Sequence, residues 1–319
     1  MNNQEAIVAA QEALKAWGVE MTPRLIKNRE NIVLEAAGPD GQRAALRLHR
    51  PGYQSDDAIR SELWWSEALV EAGMMVPQAI RTLAGDVLAT GGERVASLVT
   101  WLEGEPLGEG GVQLAMDAAE QERLHEALGA ELARLHVASD AMVRTEAFER
   151  EVLDLDALLG DVPAWGRFWE NASLSEDEAA LLLACREKLR SEIGAHAEAG
   201  GDFGLIHADA LRENVLVQDG QTRLIDFDDG VFGFRMYELG VAMSQNWDQT
   251  NEADLGAALL RGYASVRALP DQAKQLLLSF TVMRAMASCG WVIGRYPDDH
   301  PAVRDYAERA IAMAKRYLA

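Results

Sequence analysis

Apolar residues near the amino terminus recur at helical spacing, with Ile7, Ala10, Leu14 and Trp17 along one stripe and Gly18 where a helix takes its left-handed stop. The pattern predicts a short amphipathic first helix. From Arg24 to Thr100 it changes to short strand-like runs, RLIKN, NIVLEAAG, AALRLH and RVASLVTWL, with turns at Pro39–Gly41 and Thr90–Gly92. These predict a small antiparallel sheet. One helix interrupts it, from a cap at Ser55 to Gly73, with Ile59, Leu63 and Val70 on one face and Pro77 soon after. Beyond Trp101 the periodicity is helical: Leu124, Leu128, Leu132 and Leu135 repeat every three or four residues, as do apolar positions over 175–193, 253–268 and 271–294. The stretch 103–111, EGEPLGEGG, reads as a linker, because its glycines, proline and charges make a poor packed element. An α+β chain of two lobes follows: a small sheet lobe over 1–102 and a large, mainly helical lobe over 112–319.

One β signal breaks the helical half. NVLVQ and QTRLIDF flank Asp219-Gly220, a strong hairpin signal. The open end of that hairpin gathers Asp209, Asn214 and Asp226. A two-residue loop sets Asn214 opposite Ile225, and a three-residue loop sets it opposite Asp226. Either register brings the amide and the carboxylate close, and Asp209 lies five residues before Asn214, the length of a tight loop. An amide oxygen with a carboxylate makes a hard, oxygen-only site suited to magnesium with phosphate, leaving the other carboxylate to act as a base. Asp and Asn are also ordinary turn formers, which is the plainer reading of the same residues.

Composition narrows the field. Thirty basic against 51 acidic side chains give a formal charge of −21 over 319 residues, which argues against a nucleic-acid partner. Hydrophobic residues make up 49% and charged residues 25%, as expected of a soluble globular protein of about two domains. The start of the chain reads as neither a secretion signal nor a membrane anchor, and no run approaches the length of a membrane span. Cys185 and Cys289 lack the spacing of a zinc site or a disulfide framework, which fits a reducing cytoplasm.

His207, Asp209 and Asn214 match an H-x-D-x-x-x-x-N catalytic loop, and Asp226 matches the metal-binding aspartate that follows it. On these residues, and on the run HADALRENVLVQDGQTRLIDFDDGVFGFRMYELGVAM, the chain resembles the aminoglycoside phosphotransferase, choline kinase and homoserine kinase superfamily, which has the protein-kinase-like fold. Weaker matches follow in order upstream: RENIVLE at the phosphate-covering turn, LRLHRPGY on the third strand, SELWWSEALVEAG on the inserted helix and LVTWLEGEPL at the hinge.

The resemblance implies a two-lobed cytoplasmic enzyme that holds ATP and Mg2+ between its lobes and phosphorylates a hydroxyl of a small molecule. It implies Asp209 as the residue that orients or deprotonates the acceptor, and Asn214 and Asp226 as metal ligands. Arg47 stands where most relatives have lysine and would pair with Glu62 while contacting phosphate. Asn31, Arg47, Thr100, Trp101 and Leu102 would contact the nucleotide, and His207 would tie the loop to its neighbours. The turn over Asn28–Asn31 lacks a G-x-G-x-x-G pattern. An amine-bearing acceptor is expected, an amino alcohol, hydroxy amino acid or aminoglycoside, with Asp228, Asp229 and Glu238 as carboxylates for its cationic group. Asp228 and Asp229 read equally as a solvated turn. Two alternatives stand beside this reading: a stress-response serine/threonine protein kinase, and a nucleotide-binding regulatory module without turnover.

Overall fold

A computed structural model describes residues 1–28 and 31–319. The chain folds as two compact units, one of Met1–Gly104 with Met142–Arg150, the other of Glu105–Ala141 with Glu151–Ala319.

The first unit opens with helix α1, Asn3–Leu14, whose Asn2 cap accepts the Gln4 and Glu5 amides; a 3-10 turn to Trp17 then ends at Gly18 with φ 66°. Strands β1 (Thr22–Asn28), β2 (Ile32–Ala37), β3 (Arg43–Leu48), β4 (Leu88–Gly91) and β5 (Arg94–Thr100) form an antiparallel sheet in the order β1-β2-β3-β5-β4. Strand β4 has no counterpart in the sequence reading. Its four residues carry too little alternation to register, and the chain turns into β5 at Gly92.

Alternation along β3 sorts the sheet's two faces. Leu46 and Leu48 are fully buried with Ile32, Leu34, Ala96 and Leu98 under Ala6, Ala10 and Leu14 of α1, whereas Arg47 projects the opposite way. Helix α2, Asp56–Glu71, is capped by Ser55 Oγ on the Ala58 amide, and it packs Ile59 and Leu63 against Val87 and Leu88. Glu62 of α2 comes from that side.

The second unit is built on helices α3 (Ala118–Ala141), α5 (Glu176–Glu198), α7 (Glu252–Ala264), α8 (Ala273–Trp291) and α9 (Pro301–Leu318), with the short α4 (Leu155–Leu159) and α6 (Arg235–Met243) between them. Helices α3 and α7 cross at glycines: a Cβ on Gly129 would stand 2.0 Å from the Leu259 carbonyl oxygen, and one on Gly262 1.8 Å from that of Glu126.

Two small sheets carry the loops that matter. The stretch expected as linker is partly built in, since β6 (Glu105–Pro106) pairs with β9 (Val215–Gln218) and Leu107 is buried. Strand β9 pairs in turn with β10 (Gln221–Leu224) around Asp219 and Gly220 at φ 51° and 71°, the two-residue turn of the tighter register. The other sheet is β7 (Val152–Leu153), β11 (Val231–Phe234) and β8 (Phe203–Ile206), the latter two antiparallel. No described helix is long and apolar enough to cross a membrane.

Candidate active site

Strand β8 ends at Ile206, and the chain leaves it through His207 and Ala208, the latter at φ 63°, a conformation that costs a residue with a Cβ. Glu238 holds this bend. The pairing of Phe203 with Phe234 sets the start of α6 beside β8, and one turn later the fully buried Glu238 carboxylate accepts the backbone amides of both His207 and Ala208. Burial pushes its pKa up, against the pull of His207 and the two amides. Glu238 is therefore spent on the backbone and does not present a carboxylate to an acceptor, a correction to the role expected of it.

His207 locks the next connection. Its Nε2–H donates to the Ile225 carbonyl at 2.9 Å and its Nδ1 accepts the Asp209 amide at 3.3 Å, which fixes the neutral tautomer. Burial lowers its pKa, and its ring packs on Phe227 with centroids 4.6 Å apart. The histidine thus joins the loop to the strand that delivers Asp226.

Asp209 and Asn214 meet directly. Asn214 Nδ2 donates to Asp209 Oδ2 at 2.8 Å and to the Asp209 carbonyl at 3.0 Å, from the end of a 3-10 turn over Arg212–Asn214. The Asn214 carbonyl accepts the Ile225 amide at 3.0 Å, so the turn of the hairpin places Asn214 opposite Ile225 and adjacent to Asp226. Asp226 itself has φ 69°, a further strained position beside the site. Because the Asn214 amide nitrogen faces Asp209, its oxygen is the atom left for a cation. Among the described residues no group of three or more His, Cys, Asp or Glu side chains forms a metal site. An amide oxygen and a carboxylate are a lean, hard donor set, of the kind that suits magnesium completed by water and phosphate.

The other oxygen of Asp209 has a partner the sequence reading missed. Arg284, from the middle of α8, donates through Nη2 to Asp209 Oδ1 at 2.8 Å. Burial works against its charge, but Tyr237 and Asp209 more than compensate and raise its pKa. Its guanidinium lies 5.9 Å from the Trp165 ring, which stacks on Tyr237 at 6.3 Å. A lone arginine inside AKQLLLSFTVMRAMASCGW is the signal that could have found it, since a charge on an otherwise buried helix needs a partner. Nearby, burial and then Asp228, Asp209 and Asp226 push the Asp229 carboxyl well above its usual range, with Arg284 opposing. The loop is anchored from behind by the buried Arg212, whose Nη2 donates to Asn246 at 2.7 Å and whose amide donates to Gln245 at 2.8 Å.

The remaining expected site residues lie in the first unit. Arg47 Nη1 donates to Glu62 Oε1 at 2.9 Å, with 16% and 7% of the two side chains exposed. Asn31 accepts the Arg50 amide at 2.9 Å, near the Leu48 end of β3. Thr100 pairs with Ala44 at the other end, and its amide and hydroxyl are both bonded to Gln78. Arg43 lies over the Trp101 ring at 4.0 Å, and Leu102 is half-buried. These residues are strung along the sheet and do not converge as Asp209, Asn214 and Asp226 do. The expected phosphate-covering turn falls partly on residues 29 and 30, outside the described residues.

The sequence profile of the phosphotransferase enzyme family matches residues 26–276, most of the chain. The chain belongs to this family. A homoserine kinase of Gluconobacter oxydans is 30% identical over 230 residues, 68% of this chain and 66% of that protein; one of Methylorubrum populi is 33% identical over 211 residues, 63% and 58% respectively. The chain thus spans less than two thirds of these curated relatives. Among solved structures, a microcompartment-associated aminopropanol kinase superposes with a TM-score of 0.81 at 28% identity, covering 97% of this chain and 96% of that one. An amicoumacin kinase in complex with AMP-PNP and Ca2+ superposes with a TM-score of 0.74 at 16% identity and covers 99% and 93%.

Proposed function

We propose that this phosphotransferase transfers the terminal phosphoryl group of ATP, with magnesium, to the hydroxyl of a small amine-bearing molecule. The observation that carries the reading is the Asp209–Asn214 pair, held at 2.8 Å at the foot of the hairpin that delivers Asp226. Relatives named for homoserine and for aminopropanol, each with a hydroxyl and an amine, support the substrate class.

Asp209 accepts the acceptor's hydroxyl hydrogen and aims its oxygen along the line of attack, while His207 and Glu238 hold the loop that carries it. Asn214 and Asp226 would hold the magnesium, which would supply charge neutralisation for the phosphate groups. Arg47, braced by Glu62, contacts phosphate oxygens, and Asn31, Thr100, Trp101 and Leu102 belong to the nucleotide contacts. Asp228 and Asp229 attract the acceptor's ammonium group. Both cysteines are buried thiols whose pKa burial pushes up to about 12, inert groups that suit a reducing cytoplasm.

A screen of amino alcohols, hydroxy amino acids, neutral sugars and aminoglycosides with ATP and magnesium tests the reading. Acceptor-stimulated ADP release is expected with amine-bearing hydroxyl compounds. A neutral sugar or a protein serine as the best acceptor would overturn it.

A further inference from the structure

The catalytic corner carries more negative charge than an amine-bearing acceptor alone would ask for, and it carries an arginine as well. Asp209, Asp226 and Asp228 are near enough for each to act on Asp229, and Arg284 is a cation that acts against them. For an acceptor whose only charge is an ammonium, a guanidinium bonded to the base at 2.8 Å is a liability, because it repels the group that the carboxylates attract. The liability disappears if the acceptor brings an anion of its own.

Arg284 is suited to that anion. A guanidinium offers five donors in a planar fork that fits a carboxylate, and its Nη2 is the donor that contacts Asp209. The side chain is 15% exposed. A hydroxyl bonded to the same Asp209 oxygen lies two hydrogen-bond lengths from Nη2, about 6 Å at most. A four-carbon amino acid with a terminal hydroxyl spans about that distance from hydroxyl to carboxylate. From Thr281 to Trp291, α8 is buried except at Arg284, Ser288 and Trp291, which share one half-buried face at spacings of four and three.

We infer that Arg284 is a specificity-determining residue that recognises the carboxylate of the acceptor, so that the substrate class is a hydroxy amino acid and not a simple amino alcohol. The inference rests on the phosphotransferase reading above. The hydroxyl addresses Asp209, the carboxylate takes the fork of Arg284 and the ammonium turns to Asp228 and Asp229.

The test compares two acceptors that differ only in the carboxylate, L-homoserine and 3-aminopropan-1-ol, on the full chain and on Arg284→Met and Arg284→Lys. The wild-type protein is expected to favour the amino acid at least tenfold in kcat/KM. Arg284→Met should erase that ratio through KM of the amino acid, any change in kcat being common to both acceptors, and Arg284→Lys should restore part of it. Calorimetry of L-homoserine binding to the same proteins gives a readout apart from turnover. It should weaken at least tenfold in Arg284→Met, with a melting temperature that shows the variant folded. If both acceptors lose kcat equally and their ratio stays within twofold, Arg284 only positions Asp209 and the inference is wrong. A wild-type preference for the amino alcohol overturns it too. Absence of stimulation by either acceptor, or by any other small hydroxyl compound, would overturn the phosphotransferase reading itself and is told apart by the wild-type data alone.

Discussion

Replacing His207 with phenylalanine isolates what the histidine does for the loop that carries Asp209. The ring and its packing on Phe227 survive, at a centroid distance of 4.6 Å, while both hydrogen bonds vanish. One leaves the Ile225 carbonyl, bonded at 2.9 Å, without its donor; the other leaves the Asp209 amide, a longer contact at 3.3 Å, without its acceptor. Stranding a buried polar group costs about 1–3 kcal/mol, so the short bond counts for about 2 kcal/mol and the long one for about 1, giving a loss of about 3 kcal/mol. Urea unfolding measures it as a lower midpoint at unchanged slope. Turnover should fall at least about tenfold, since Asp209 loses the contact that fixes its backbone. A variant within about 0.5 kcal/mol of wild type, with kcat within twofold, would refute the claim that His207 joins the loop to the hairpin.

Arg47→Ala should raise KM for ATP and lower kcat, because it removes a cation and leaves Glu62, only 7% exposed, without the partner at 2.9 Å; Arg47→Lys should recover part of both, and steady-state kinetics of the three proteins decide it. Acid should destabilise the fold from pH 6.5 downward: His49, His125, His136, His196 and His207 all have folded pKa values lowered by burial, so the unfolded chain takes up protons that the native one refuses. For His49, with a folded pKa of about 3, the loss runs from pH 6.5 down to that value and reaches about 3 kcal/mol by pH 4.5. Urea midpoints should therefore drop below pH 7, against the opposing proton uptake of the raised Asp229 and Glu238 carboxyls, and His49→Gln should flatten part of that drop.

The local signals in this chain were strong where one short segment determines the outcome. Asp219-Gly220 sets its hairpin because both residues accept positive φ, and Ser55 starts α2 by accepting the Ala58 amide. The family motif carried Asp209 and Asn214 to within 2.8 Å of each other. What the sequence did not disclose depends on contacts between distant segments. Glu238 looked like a substrate carboxylate because it follows Asp226 in sequence, yet the β8–β11 pairing turns it back onto the His207 and Ala208 amides. Arg284 is 75 residues beyond Asp209, and only the packing of α8 brings them together. The stretch 103–111 read as a linker because it is rich in glycine, but β9 had an edge for Glu105 and Pro106 to pair with.

Turnover of Asp209→Asn tests the central claim most directly. The substitution keeps the shape of the side chain and removes the carboxylate that is placed between Asn214 and Arg284. ATP binding, followed by calorimetry with magnesium, should stay within a few-fold of wild type, while kcat with the best acceptor falls by about 10²-fold or more. A folded Asp209→Asn protein that keeps half of the wild-type kcat would contradict the account.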